Sequence, residues 1–379
     1  MRLYLIAGEP SGDKLGAALM VGLKKLDANV EFFGVGGPLM EAEGMSSLFD
    51  MSELSVMGLA EVLPKMRGLF RRRDECVADI SALGVDVLIT IDSPDFCLRV
   101  AKKVTGIPKI HYVAPSVWAW RPKRAEKMRG VVDHVLALLP FEPPYMQAAG
   151  MTCDFVGHPV VAEPVASAAE IAEFRAFYEI GDAPVVLALP GSRAGEVMRL
   201  SEVFGDALAK LVAARPDIRV VVPAAGAVAD LVQAQVANWP GQPVVLDPRH
   251  HADPVGWKAA AFGAADVALA ASGTVSLELA ASATPMVIAY DMNWVSRQMI
   301  KRLLQIDTVT LVNLVSETRT VPEFLGENCK PDAIAQALLA ALDHPSEQIE
   351  ACQITMDRLG RGGEAPGLRA ARSVLDAIR

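Results

Sequence analysis

Cysteine is scarce in this chain. Its five residues, Cys76, Cys97, Cys153, Cys329 and Cys352, are odd in number and never closer than 21 positions. That spacing excludes a disulfide framework and a Cys-x-x-Cys zinc site, and it suits small core residues in a reducing compartment. Positive charge is short as well: 36 Lys and Arg stand against 45 Asp and Glu, a net of −9. A general nucleic-acid binder, whose affinity rests on basic surface, is therefore not expected. Long apolar runs are missing too. The longest uncharged stretch, 231–246, has 16 residues and is broken by Gln233, Gln235, Asn238, Pro240 and Gln242. A spanning helix needs about 20 predominantly apolar residues. The first residues lack a signal-peptide pattern and run straight into a strand-like segment, 3–7.

What is present is alternation. With 379 residues, two domains are expected, and hydrophobic residues at 52% are ample for two cores. Short β-rich runs alternate with helical patterns from end to end, which predicts an α/β fold with parallel sheets and crossover helices. The strands read as 3–7, 31–35, 85–91, 109–113 and 134–139, then 185–189, 218–222, 244–246, 267–270 and 286–289. A helix beginning near Ser11–Asp13, with Ser11 or Asp13 as its cap, carries Leu15, Leu19, Leu23 and Leu26 at helical spacing. Other helices read as 196–214 and 276–283, and a last one as 364–379. A linker at 162–169 containing Pro164 places the boundary near 162. The expected domains are 1–162 and 163–349, with residues from about 350 returning to the first. Ligands of such sheets bind at the carboxyl ends of strands, so two doubly wound domains facing a cleft would present their turns to it.

The turns discriminate further. Gly8-Glu9-Pro10-Ser11-Gly12-Asp13 lacks the Gly-Lys-Ser/Thr ending of a P-loop. Gly34-Val35-Gly36-Gly37 starts as a dinucleotide fingerprint but has Leu39 where the third glycine belongs. Neither ATP nor NAD is expected, although Glu9, Ser11 and Asp13 crowd where a ligand would sit. Pro190-Gly191-Ser192-Arg193 and Ser272-Gly273-Thr274, with Glu278 beyond, each follow an apolar strand and open a helix. Either turn alone reads as ordinary capping. Two such turns in one half, one carrying an arginine, point to a nucleotide diphosphate held on helix amino termini, with Glu278 on a ribose diol.

These blocks, with Ile91-Asp92-Ser93-Pro94-Asp95-Phe96, the run from His111 to Trp120, and Asn313-Leu314, resemble the lipid-A-disaccharide synthase family. They fall in both halves and in the family's order. The resemblance implies a glycosyltransferase B-type fold of two Rossmann-like domains and an inverting transfer. The donor would be UDP-2,3-diacylglucosamine and the acceptor 2,3-diacylglucosamine 1-phosphate, giving the β-1′,6-linked lipid A disaccharide 1-phosphate and UDP. It adds Asn313 to the UDP-sugar residues Gly191, Ser192, Arg193, Ser272, Gly273, Thr274 and Glu278. A UDP-sugar 2-epimerase of the same architecture and a non-catalytic, nucleotide-regulated membrane adaptor are the competing readings.

No Asp-x-Asp occurs, and Asp247, His250, His251 and Asp253 are spaced as a solvated loop, so neither metal nor cofactor is expected. Departing UDP would be met by helix termini and Arg193. Asp92, at the carboxyl end of an apolar strand, is the expected base, with Glu9 and Asp13 as rivals and Asp95 as a helix cap. Glu9, Ser11, Gly12 and Asp13 are expected to line the cleft. Trp118, Trp120, Arg121, Lys123 and Arg124, after another strand end, read first as buried indoles capping a core and otherwise as residues that hold acceptor phosphate or face headgroups. Segment 59–80 carries Met66, Leu69 and Phe70 on an apolar stripe beside Lys65, Arg67, Arg71, Arg72 and Arg73. It reads equally as a core-facing helix or as an interfacial one that attaches the protein peripherally to anionic inner-membrane lipid at the cytoplasmic face. A homodimer stays open.

Overall fold

The computed structural model describes residues 1–54, 59–119, 123–292 and 306–378. The chain divides into two compact units, Met1–Ala162 with Gly362–Arg379, and Glu163–Arg361. The first contains strands β1 (Arg2–Ala7), β2 (Glu31–Val35), β3 (Val87–Ile91), β4 (Lys109–Tyr112), β5 (His134–Ala137) and β6 (Thr152–Phe155). Its helices are α1 (Pro10–Leu26), α2 (Pro38–Ala42), α3 (Leu59–Leu83), α4 (Pro94–Ala101), α5 (Lys123–Met128) and α6 (Pro143–Ala148). All six strands are parallel, in the order β2-β1-β3-β4-β5-β6. β1 and β3 are apolar on both faces because both faces are covered, as parallel interior strands require.

The second unit repeats the plan. Strands β7 (Val185–Leu189), β8 (Arg219–Pro223), β9 (Val244–Leu246), β10 (Val267–Ala270), β11 (Met286–Tyr290) and β12 (Glu323–Leu325) form a parallel sheet in the order β12-β11-β10-β7-β8-β9. Its helices are α7 (Ala168–Phe177), α8 (Ala194–Ala214), α9 (Ala229–Val236), α10 (Pro254–Ala264), α11 (Val275–Ala281), α12 (Leu311–Ser316), α13 (Pro331–Asp343) and α14 (Ser346–Arg358). In each sheet the chain builds outward on one side of its first strand and then resumes on the other. The reversal falls between β1 and β3 in the first sheet and between β7 and β10 in the second. Such switch points open a crevice at the carboxyl ends of the two strands.

The interior strands agree with the apolar runs to within two residues. The edge strands β6 and β12 were not foreseen. Thr152-Cys153-Asp154-Phe155 and Glu323-Phe324-Leu325 are half solvated and carry no apolar run. Helix α1 starts at Pro10 with Glu9 as its cap residue, so neither Ser11 nor Asp13 caps it. The return to the first unit comes at Gly362 rather than near 350, because α14 buries Ala351, Cys352, Thr355 and Met356 within the second unit. There the Thr355 hydroxyl donates to the Val312 carbonyl at 3.3 Å.

The last helix, α15 (Pro366–Ala377), packs Ala370, Ala371 and Val374 into the first core. A part-buried polar latch holds it. Ser373 donates to Asp154 at 2.6 Å and meets the His134 Nε2 at 2.9 Å, while the His134 Nδ1 meets Thr152 at 2.7 Å. Burial pushes the His134 imidazole below its ordinary range, partly offset by Asp154.

Candidate active site

At the first switch point the β1 and β3 turns touch. A β-carbon on Gly8 would lie 2.6 Å from the Ser93 Oγ, so only glycine allows the approach. Asp92 and Ser93 both take left-handed backbone, φ 52° and 42°, and Val113, just past β4, takes φ 84°. For a β-branched residue that is a true outlier, and each such residue costs about 1–3 kcal/mol. Three of them at adjacent strand ends mark this edge as one where geometry is held against local preference. The Asp92 N–H donates to the Tyr112 carbonyl at 2.9 Å, which ties the turn to β4, and Asp92 itself is half-buried. Ser93 is the cap residue of α4 and Pro94 its first member, so Asp95 lies in the first turn and is not the cap.

Of the four residues expected to line a cleft, Glu9 is half-buried and Ser11 exposed, but Gly12 and Asp13 are buried. Asp13 is only 3% exposed. Its carboxylate accepts from the backbone N–H groups of Gly37 (2.9 Å), Leu39 (3.0 Å) and Met40 (3.0 Å). It is the cap of α2, supplied from another helix, and it is spent there. Its rival claim as a base falls away.

Further along the same edge lies a carboxylate that sequence reasoning missed. Glu142, 4% exposed, accepts from the N–H groups of Leu138 (3.1 Å) and Leu139 (2.9 Å) and from the Trp118 indole (3.3 Å). Burial pushes its carboxyl up to about 7, against those donors. Trp118 is half-buried and packs edge-on against Phe141, centroids 5.2 Å apart. The only sequence signal was a charged residue five positions beyond the β5 end, after Leu138-Leu139-Pro140-Phe141. Trp120 and Arg121 lie outside the described residues, and Lys123 opens α5.

The second switch point brings together the two turns singled out from sequence. β7 pairs with β10, and the Ala271 N–H donates to the Leu189 carbonyl at 2.9 Å, so Pro190–Arg193 and Ser272–Thr274 leave adjacent strand ends. Gly191 has φ 123°, open to glycine alone, and a β-carbon there would meet the Glu196 side chain at 2.5 Å. Glu196 was not foreseen. Its Oε2 accepts from the N–H groups of Ser192 (3.1 Å) and Arg193 (3.3 Å), and its Oε1 from the Arg193 Nη1 (3.1 Å). The Arg193 side chain is 63% exposed.

At the neighbouring turn Gly273 and Thr274 are exposed, but α11 is only seven residues long, so its end contributes less dipole than the long α8. Glu278 is paired with Lys258 at 2.6 Å, a partner that sequence reading missed. Asn313, expected among the UDP-sugar residues, is committed to internal hydrogen bonds. It is 1% exposed and fully used: its Nδ2 donates to Thr308 (3.1 Å) and to the Val321 carbonyl (2.9 Å), and its Oδ1 accepts from the Val321 N–H (3.1 Å). In the 247–253 loop, Asp247 takes the Arg249 guanidinium and N–H, and Asp253 caps α10 through the Gly256 N–H at 2.9 Å.

Residues 3–365 match a family model described as lipid-A-disaccharide synthetase, LpxB. The chain is 61% identical over 383 residues to the lipid-A-disaccharide synthase of Ruegeria pomeroyi, covering 100% of this chain and 96% of that protein. It is 45% identical over 385 residues to that of Rhodospirillum centenum, covering 99% and 94%. The chain belongs to the lipid-A-disaccharide synthase family. It is therefore a glycosyltransferase, and the epimerase reading is set aside. Among solved structures, UDP-GlcNAc 2-epimerase from Neisseria meningitidis bound to UDP-GlcNAc is similar with a TM-score of 0.64 at 13% identity, covering 100% of this chain and 99% of that one. At that identity the likeness speaks for the fold alone, two Rossmann-like units.

Members of such a family handle acylated sugars, which directs attention to α3. No helix among the described residues is long and apolar enough to cross a membrane. The basic stripe of α3 is more neutralised than its sequence suggests. Arg72 pairs with Glu53 and with Glu75 (2.7 Å), and its guanidinium lies over Phe49. Arg73 pairs with Asp74 at 2.8 Å, and Arg71 with Glu75 at 3.4 Å. Leu69 packs against the first core rather than outward, and Phe70 is covered by the guanidinium groups of Arg73 and Arg99. Met66 is half-buried, while Arg67 and Arg71 are exposed.

Proposed function

We propose that the enzyme transfers 2,3-diacylglucosamine from UDP to 2,3-diacylglucosamine 1-phosphate with inversion, releasing UDP and the β-1′,6-linked disaccharide 1-phosphate. Asp92 accepts the proton of the acceptor 6-hydroxyl. That oxygen attacks the donor's anomeric carbon, the bond to the β-phosphate oxygen breaks, and its electron pair leaves on UDP. The single observation that carries this reading is the backbone at the first switch point. Asp92 stands in left-handed geometry at the carboxyl end of β3, beside two further residues held the same way.

The diphosphate is assigned to the N–H groups of Ser192 and Arg193 and to the Arg193 guanidinium, with Glu278 exchanging Lys258 for the ribose hydroxyls. The amino end of α8 supplies about half a positive charge and Arg193 a whole one. That is enough to oppose the charge gained as the leaving-group bond breaks. Attachment to anionic lipid is assigned to the exposed Arg67 and to Arg71 of α3, whose pair with Glu75 lies at the surface, with Arg72 and Arg73 held more deeply in their own pairs. Reversing both exposed charges is expected to lower sedimentation with anionic liposomes.

The test of the reaction is to incubate UDP-2,3-diacylglucosamine with and without the acceptor, with and without chelator, and resolve the products. Disaccharide and UDP are expected only when the acceptor is present, chelator or not. Consumption of donor without acceptor, or no consumption at all, would overturn the assignment.

A further inference from the structure

The place assigned to the diphosphate already holds an anion, and it belongs to the protein. Glu196 sits at the third position of α8 and satisfies the N–H groups of Ser192 and Arg193 with one oxygen and the Arg193 guanidinium with the other. These are the donors a phosphate would use. The seat is built for this side chain: Gly191 leaves room for it that any β-carbon would fill. Tyr290, at the end of β11, senses the same charge. Its phenol is pushed up first by burial and then by the nearby Glu196 carboxylate.

We infer that Glu196 is an internal stand-in for the donor's diphosphate, which must leave the Ser192 and Arg193 N–H groups for the nucleotide to enter and which returns to them as UDP departs. The inference rests on the placing of the diphosphate given above. Two anions cannot share the same two N–H groups without strong repulsion, so occupancy by one excludes the other. The empty site then never exposes bare helix-end donors, and part of the binding energy of UDP is offset by displacing the carboxylate. That offset keeps the product from binding too tightly to be released. The same negative charge also discriminates by ligand: it opposes a diphosphate and is indifferent to the uridine that carries none.

The experiment compares wild type, Glu196→Gln and Arg193→Ala by calorimetric titration with UDP and, separately, with uridine, after thermal melts confirm folding. Glutamine keeps an oxygen that can accept from the N–H groups but removes the charge. UDP is expected to bind Glu196→Gln about tenfold more tightly, the scale of one unit charge in a partly exposed site, with uridine affinity unchanged. Product inhibition by UDP should strengthen in parallel. Arg193→Ala is expected to weaken UDP binding. If Arg193→Ala weakens UDP while Glu196→Gln leaves it unchanged or weaker, Glu196 is only a helix cap and the inference fails by itself. If Glu196→Gln tightens UDP and uridine equally, the effect is structural, and the inference fails as well. If neither variant alters UDP affinity, the diphosphate lies elsewhere and the placing beneath the inference falls with it. Should Glu196→Gln fold poorly, Glu196→Ala answers the same question with the same pair of ligands.

Discussion

Replacing Asp13 separates a structural carboxylate from a catalytic one. Its side chain is buried and caps α2 from across the unit, accepting from Gly37, Leu39 and Met40 at 2.9, 3.0 and 3.0 Å. Alanine leaves three N–H groups without that partner, those of Gly37 and Met40 buried and that of Leu39 part-buried, each costing roughly 1–3 kcal/mol, so a loss of about 3–6 kcal/mol is expected after local relaxation. Asparagine is gentler. Its oxygen can stay on Gly37 and Met40, both served by Oδ1, while its amide confronts the Leu39 N–H, at a cost of about 1–2 kcal/mol. For a unit of this size the melting temperature should fall by roughly 2–8 °C for Asp13→Asn and by roughly 6–24 °C for Asp13→Ala. The assay is thermal unfolding by circular dichroism, paired with turnover at saturating substrates well below the transition. The expected result is a graded loss of stability with turnover per folded enzyme within about twofold, since the carboxylate makes none of the chemistry. An Asp13→Asn variant that melts normally but loses about 10²-fold or more in turnover would refute the reasoning and restore Asp13 as a base.

Two buried groups should shape stability against pH in opposite senses. Burial holds His111 down to about 4, so the folded state binds fewer protons than the unfolded state between there and 6.5; stability is full above pH 6.5 and falls by about 3 kcal/mol as pH drops to 4. Glu142, pushed up to about 7, binds more protons folded than unfolded, so its contribution is full below about 4.5 and is lost as pH rises through 7. Urea titrations across pH 4–9 should show the rising limb between about pH 4 and 6.5 flattened in His111→Asn, and the opposing fall between about pH 4.5 and 7 removed in Glu142→Gln. Unchanged limbs in both variants would contradict the assignment. Asn313→Ala should cost about 2–4 kcal/mol by stranding its partners on Thr308 and Val321, with UDP affinity unmoved; weaker UDP binding at intact stability would make it a ligand residue after all.

Much of the architecture was legible because parallel interior strands write themselves as uninterrupted apolar runs. β3 and β7 are buried along their whole length, and their turns follow directly. That Pro190–Arg193 and Ser272–Thr274 each follow an apolar strand of the second half was legible by the same logic, whereas the adjacency of those strands came only with the sheet order. What could not be read depended on partners distant in sequence. Asp13 and Asn313 have the chemistry of ligands, and only their burial and their N–H and carbonyl partners show that the protein consumes them itself. Conversely, Glu196 and Lys258 looked like ordinary helix residues, and only their pairing with Arg193 and Glu278 sets them beside the residues proposed to hold the nucleotide. The left-handed backbone of Ser93 and Val113 has no signal in residue type; aspartate tolerates that region, but a valine there runs against local preference. The basic stripe of α3 was overestimated for a related reason: Glu53 neutralises it from another element.

The most direct measurement on the central claim is turnover of Asp92→Asn at saturating donor and acceptor, with UDP affinity determined on the same preparation. Loss of a general base is expected to lower turnover by about 10²–10⁴-fold while UDP binds as in the wild type. Near-normal turnover with unaltered UDP affinity would contradict the claim that this carboxylate deprotonates the acceptor.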